Sequence, residues 1–414
     1  MKKLIVITLT VFLISSCRQN DDLANNILKF YGDALENIGY SIADAGDGIV
    51  MGGQITDVVR TNPDSINERR SKAKMALVKT DYDGNVIWQK LYGDTRPSVG
   101  KKALTLDDGS IICIGYVVDT AASLQNIYIV KVDSRGELLK QFEYKPAGDN
   151  ANQYAIDIIS TGGGFLVLAA TDAFRAPDAE SAGNEAGKKD ILMLKINDNL
   201  ELESTPLAFG FPGNDEGVSI KQDYNGGYVV VATTDRSEPG TQQGSNNILI
   251  MNVNLYGKVI KNKIIGSDRP ERAIDIDVQS DGYLVVATIE NDAQTQYGYV
   301  WKLSSDIFAA PVYEHRIDLQ LSGASTSFSV NAITRYKSTS YVMAGQSGTG
   351  SSARMVVFLT DSEGNLQADN VVFSGGTGSQ AINDVVVDTN GNIYSTGSNK
   401  YESSTMMALL KFRF

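Results

Sequence analysis

Short apolar runs, a few residues each, punctuate this chain at near-regular intervals and are separated by Gly-, Asn- and Asp-rich turns. One stretch shows the order. Ala155-Ile156-Asp157-Ile158-Ile159 is followed by the turn Thr161-Gly162-Gly163-Gly164. The wholly apolar run from Phe165 to Ala170 comes next, closed by Thr171 and a polar loop. Asp190-Ile191-Leu192-Met193-Leu194-Lys195-Ile196 forms a third run, and a weaker fourth lies near Leu202 to Phe209. Runs this short, bounded by turn residues, predict strands, because helices need longer stretches of 3.6-residue periodicity. The continuously apolar second run predicts a strand buried on both faces.

The unit recurs seven times. Aligned on the first turn, it stands at Asp47-Gly48, Asp108-Gly109, Gly163-Gly164, Gly226-Gly227, Asp281-Gly282, Thr339-Ser340 and Asn390-Gly391, in steps of 51 to 63 residues. A period this long, built of short strands, predicts a radial array of small sheets. The seventh unit ends after its third strand, at Ala408-Leu409-Leu410-Lys411. The missing fourth strand stands at the other terminus. Ile27-Leu28-Lys29-Phe30-Tyr31-Gly32-Asp33 matches Trp88-Gln89-Lys90-Leu91-Tyr92-Gly93-Asp94 and its neighbour Ile87 in the first unit. The N-terminal segment is therefore expected to complete the last sheet and close a ring, leaving only short protected edges. The predicted fold is all-β: a seven-bladed β-propeller of four-stranded antiparallel blades, a single domain over residues 26–414.

The repeat carries a resemblance. The pattern Asp-Gly-Gly-Tyr, apolar strand, Gly-x-Thr, loop, Leu-x-Lys-x-Asp-x-x-Gly-x-x-x-Trp-x-x-x-Tyr-Gly, spread over residues 27–414 and keeping its Trp only at Trp88, resembles a repeat of exported bacterial β-propeller lipoproteins. The resemblance implies a binding or scaffold role and defines no catalytic set. Two enzyme comparisons fit less well. Sialidase-like propellers carry Ser-x-Asp-x-Gly-x-Thr-Trp, and Asp81 to Gly84 has one residue too many. Quinoprotein dehydrogenases repeat the turn Trp, whereas Lys140, Lys261 and Ala368 stand at the corresponding places here.

The N-terminus reads as an export signal: Lys2 and Lys3, then the apolar stretch Leu4 to Leu13, too short for a permanent membrane span. Ile14-Ser15-Ser16-Cys17 resembles a bacterial lipobox. The resemblance implies a lipoprotein signal peptide over 1–16, a lipidated Cys17 and a flexible tether over 17–25. Asp21-Asp22 is similar to signals that send some lipoproteins to the outer surface, or is a plain solvated tether. The expected location is the outer membrane, on its periplasmic side or at the cell surface, with the lipid as the only membrane contact.

Charge narrows the partners. Without Lys2 and Lys3 the chain has 35 basic and 49 acidic residues, a net −14. Nucleic acid, which needs concentrated Lys and Arg, is not expected. Of two cysteines, Cys113 sits in an apolar run and is read as a small core residue. His315 is the only histidine, which excludes multi-His metal sites. The Asp-rich turn from Asp81 to Asn85 looks like the start of a calcium loop, but its twelfth residue is Tyr92, so a hairpin turn is expected. No cofactor is expected, with a calcium ion the one candidate.

Two sets of candidate site residues remain. The first strand of each unit should line the central channel, which places Asp157, Asp275, Asp384 and Lys102 at one depth, able to hold a cation, anchor a ligand or sit hydrated in water. The loops between second and third strands vary most and open on the same face as the fourth-to-first connections. The opposite face is expected to carry only tight turns. Arg60, Arg96, Arg175, Arg236 and Arg269 fall on the long-loop face, where recognition usually lies. The expected function is a monomeric, lipid-anchored binding or scaffold module for a protein or carbohydrate ligand. The alternatives are a carboxylate-based polysaccharide hydrolase or lyase on the same face, and a structural spacer with no pocket.

Overall fold

The continuously apolar runs take the second place in each sheet, where both faces are covered. Gly164–Thr171 is buried at every position and lies between Gln153–Thr161 and Asp190–Asn197. The computed structural model describes residues 26–32, 35–60, 69–145, 151–172, 188–237, 246–291, 295–319, 327–375, 378–402 and 404–414. These residues form seven antiparallel four-stranded sheets, each built outward from an innermost strand. Blades 1 to 6 occupy 38–92, 98–144, 153–209, 215–265, 271–316 and 328–374. Blade 7 takes three strands from 379–412 and its outermost strand from Ile27–Tyr31. The register runs from Ile27 opposite Lys411 to Tyr31 opposite Met407, so the two chain ends close the ring as the repeat predicts.

Seven apolar clusters hold the ring, one at each interface between neighbouring blades. Between blades 2 and 3, Ile112, Ile114 and Ile129 meet Phe165, Val167 and Leu194. Between blades 6 and 7, Val342 and Ala344 meet Ile382 and Leu410, and Leu28 and Phe30 of the N-terminal strand pack on the same cluster. Each such side chain removed from water stabilises the fold by roughly 1.5–3 kcal/mol. Cys113 is fully buried in the cluster between blades 1 and 2, and burial pushes its thiol up to about 12. Among the described residues no helix is long and apolar enough to cross a membrane.

The Asp-rich sequences between third and fourth strands are hairpin turns. Asp81 Oδ1 accepts from the Asp83 and Asn85 amides at 2.9 and 2.8 Å, and Gly84 takes a φ of 73°. Asp133, Asn197, Asn254 and Asp361 accept from the same two relative positions. A left-handed residue in fourth place lets the side-chain oxygen collect both amides, which is why Gly stands there. Blade 3 is the exception: Leu200 adopts φ 60° in that place.

All seven innermost strands carry a β-bulge at the same height. The register against the second strand slips between Gly39 and Ser41, Gly100 and Lys102, Ala155 and Asp157, and Gly217 and Ser219. It slips likewise between Ala273 and Asp275, Val330 and Ala332, and Ile382 and Asp384. A bulge inserts one residue that strict alternation does not count, and it re-aims the side chains around it.

Candidate functional site

The innermost strands pair on one side only, so amides on their open edge need other acceptors. The polar channel residues supply them. Asp157 Oδ2 accepts from the Ile220 amide of blade 4 at 2.9 Å, and Asp384 Oδ2 accepts from the Ile42 amide of blade 1 at 3.1 Å. Ser41 Oγ accepts from the Ala103 amide of blade 2 at 3.1 Å. Asp157, Asp275 and Asp384 each also accept from the amide of the residue that follows. These side chains tie one blade to the next.

Two ion pairs cross this level. Lys102 Nζ lies 3.0 Å from Asp384, and Lys221 Nζ lies 3.1 Å from Asp275. Burial alone would lower both lysines, but the surrounding carboxylates outweigh it and hold them above the ordinary lysine range. Three carboxylates and two ammonium groups, each with a partner, make this a structural girdle. No group of three or more His, Cys, Asp or Glu suited to a metal ion occurs among the described residues. Lys221 escaped the sequence reading, although it lies two residues beyond Ser219 on the same strand face.

Above the girdle, toward the long-loop face, the channel widens into a funnel. Its deeper cavity, about 360 Å³, is lined by Tyr40, Lys101, Tyr154, Ile156, Glu216, Arg272, Asn331 and Asn383. Five of these occupy the bulge positions of blades 1, 2, 3, 6 and 7. Tyr154, Glu216 and Arg272 stand two residues earlier on blades 3, 4 and 5 and form a second ring nearer the mouth. A contiguous cavity of about 510 Å³ continues outward over blades 2 and 3, adding Tyr116, Asn152, Asp172 and Lys189.

The funnel combines aromatic surface with fixed charge. The Tyr116 and Tyr154 rings meet edge to face at 6.5 Å. The Tyr154 hydroxyl donates to Glu216 Oε1, whose other oxygen lies 3.0 Å from Lys189 Nζ. Asp172 accepts from the side-chain amide of Asn152 at 2.8 Å. Lys101 Nζ lies 4.0 Å above the Tyr40 ring. Desolvation pushes Tyr40 and Tyr154 up to about 12, so both are neutral phenols at physiological pH; the Tyr40 hydroxyl can donate to a ligand oxygen, whereas the Tyr154 proton is given to Glu216. Strict alternation hid this set. The bulge turns Tyr40 and Lys101 into the channel alongside the residues that alternation assigns to it.

The loop-face arginines do not converge there. Arg96 forks onto Glu143 at 2.9 and 2.7 Å and also pairs with Asp94. The Arg236 guanidinium lies 4.2 Å from the centre of the Phe211 ring, and Arg269 donates to Asn291. Arg60 ends the strand Ile49–Arg60, its side chain outside the described residues. Arg175 and Cys17 lie outside them entirely. His315 is half-buried against Tyr313, at 5.8 Å between ring centres, rather than exposed. The opposite face also differs from expectation. Beside its tight turns it holds a cavity of about 510 Å³ between blades 5 and 6, lined by Lys302, Arg335 and Tyr341 among others. Lys302 is bound to Asp281 and Arg335 to Asp277, so the main charges there are already matched.

No family model and no curated protein matches this chain. Solved structures resemble it at low identity. The β-propeller domain of the Trilobed protease from Pyrococcus furiosus is 9% identical, with a TM-score of 0.47 over 91% of this chain and 95% of that one. The Pyrococcus horikoshii acylaminoacyl peptidase is 10% identical, with a TM-score of 0.48 over 89% of this chain. A Trypanosoma rangeli sialidase is 11% identical, with a TM-score of 0.43 over 81% of this chain. This chain spans 52% of the peptidase and 56% of the sialidase. At this distance the likenesses assign neither ligand nor reaction.

Proposed function

We propose that the protein is a carbohydrate-binding module whose site is the funnel on the long-loop face. The observation that carries this is the joining of Tyr40, Tyr116 and Tyr154 with the amides of Asn152, Asn331 and Asn383 around two contiguous cavities of about 360 and 510 Å³. Sugar rings present apolar C–H faces and a rim of hydroxyls. Aromatic planes and fixed polar groups on a rigid scaffold match both. Glycoside cleavage needs two carboxyls about 5–10 Å apart with freedom to act on the scissile bond. The carboxylates lining the funnel among the described residues are Glu216, bound to Lys189 and Tyr154, and Asp172, bound to Asn152. That arrangement favours retention over turnover, and the cavities favour it over a pocketless spacer.

Lipidation of Cys17 belongs to the same proposal. Ile27 pairs with Lys411, whose ammonium lies 3.1 Å from Asp83 in a tight turn. The chain therefore enters the ring on the tight-turn face, and a lipid there points the funnel away from the membrane. The test is a glycan-array and calorimetric screen of residues 25–414. Saccharide binding without turnover, reduced at least tenfold by Tyr154→Ala, is the expected result. No saccharide bound, or equal binding by the variant, overturns the reading.

A further inference from the structure

Of the ionic groups lining the funnel, Lys189 and Glu216 form an ion pair and Asp172 is bound to the Asn152 amide. Two cations have no carboxylate partner. Lys101 touches the Tyr40 ring, and the Arg272 guanidinium donates to Asn331 Oδ1 at 3.1 Å. Among the described residues neither has a carboxylate at ion-pair distance. Glu216 acts on Lys101, and Glu290 on Arg272, only from farther away. Both cations line the same deep cavity of about 360 Å³. They stand there in a chain whose acidic residues outnumber basic ones by 49 to 37, so partners are in excess and these two positions have been left without one.

We propose that Lys101, on the inner ring of the funnel, and Arg272, on the ring nearer the mouth, form an oxyanion-recognition pair, and that the ligand is an acidic saccharide whose carboxylate they receive. This rests on the saccharide-binding reading above. Lys101 is half-buried and Arg272 is exposed to the cavity, so an arriving carboxylate reaches both and gains charge-assisted hydrogen bonds. Arg272 supplies a planar fork suited to two carboxylate oxygens, and Lys101 supplies a point charge from the side. The Asn331 oxygen holds one guanidinium nitrogen, and the ammonium lies over the Tyr40 ring. Desolvation holds both groups below their ordinary ranges, the direction expected of cations that lack a counter-charge. The three tyrosines then face the remainder of the sugar, so charge selects the acid and the aromatic wall selects the ring.

The experiment is isothermal titration of the purified full-length protein with tetragalacturonate, its methyl ester, neutral maltotetraose and inorganic phosphate. The parent, Lys101→Met and Arg272→Gln are compared at low and physiological salt. The acid is expected to bind at least tenfold more tightly than its ester. Each substitution should weaken the acid about five- to tenfold and the ester no more than about twofold. Rising salt should weaken the acid alone. Equal binding of acid and ester, or unaltered acid binding by both variants, overturns the pair. Phosphate binding that depends on both residues, with no saccharide bound, keeps the oxyanion pair, removes the sugar and sinks the saccharide reading separately. Binding of maltotetraose alone keeps the saccharide reading and overturns the pair. Circular dichroism spectra matching the parent establish that a silent variant is folded.

Discussion

The Tyr31 hydroxyl donates to the Gly84 carbonyl oxygen 2.9 Å away, joining the N-terminal strand of blade 7 to a turn of blade 1. Tyr92 makes the same bond to Gly136, also at 2.9 Å, between blades 1 and 2. The closure thus reuses a contact found inside the ring, and the Tyr that ends both outer strands has a physical reason. The tyrosine ring covers a turn whose glycine leaves room for it. A Cβ on Gly84 would meet the Tyr31 hydroxyl oxygen at 3.1 Å, and one on Gly136 would meet the Trp88 ring at 3.0 Å.

Tyr31→Phe should cost about 1–2 kcal/mol, because a buried carbonyl loses its donor, and Tyr92→Phe should cost a similar amount. Deleting residues 26–32 should cost more than 5 kcal/mol, since Leu28, Phe30 and Tyr31 leave two interface clusters and a strand edge is bared. Urea unfolding monitored by tryptophan fluorescence reads all three. A deletion variant that melts like its parent would show that the ring does not depend on the N-terminal strand.

Asp384 receives both the Lys102 ammonium and the Ile42 amide. Asn in its place cannot serve both. Removing one partner of a buried pair costs about 3–5 kcal/mol. The Lys102 side chain keeps 35% exposure to the channel, so about 1–3 kcal/mol is expected for Asp384→Asn. Adding Lys102→Met should recover part of that loss. A double variant less stable than the single one would mean that Lys102 does not depend on Asp384.

Asp215 is 1% exposed, and burial raises its carboxyl above the usual 3.8, against the opposing effects of Thr234 and the Phe211 amide. The native state therefore holds this proton more tightly than the unfolded chain. The contribution is complete below the unfolded value and is lost as pH rises through the folded one. Asp215→Asn removes that loss. Its melting temperature relative to the parent should rise from acid toward neutral pH, and differential scanning calorimetry at several pH values measures the trend. A difference that shrinks with rising pH would assign the wrong sign to the shift.

Leu200 occupies a left-handed position that favours Gly, at a cost of about 1–2 kcal/mol. Its side chain is 2% exposed in the cluster between blades 2 and 3, where truncating a leucine costs about 2–5 kcal/mol. Burial is the larger effect, so Leu200→Gly should destabilise the protein by about 1–3 kcal/mol in chemical denaturation. A stabilised variant would reverse that ranking.

Blade number, strand order and the pairing of residues 27–31 with the last strand were all readable along the chain. They follow from local physics: runs buried on both faces, turns that need a left-handed residue, and a repeat one strand short at its end. The girdle was half readable, since alternation found Asp157, Asp275, Asp384 and Lys102 but neither Lys221 nor the open-edge amides those carboxylates accept. The funnel belonged to the tertiary structure. Tyr154 and Glu216 lie 62 positions apart and meet only because neighbouring blades converge on the axis. Lys101 faces the cavity because a bulge inserts one residue where a period of two allows none. Period-two alternation assigns a face residue by residue. It contains no information about a one-residue slip, or about which strands a ring brings side by side.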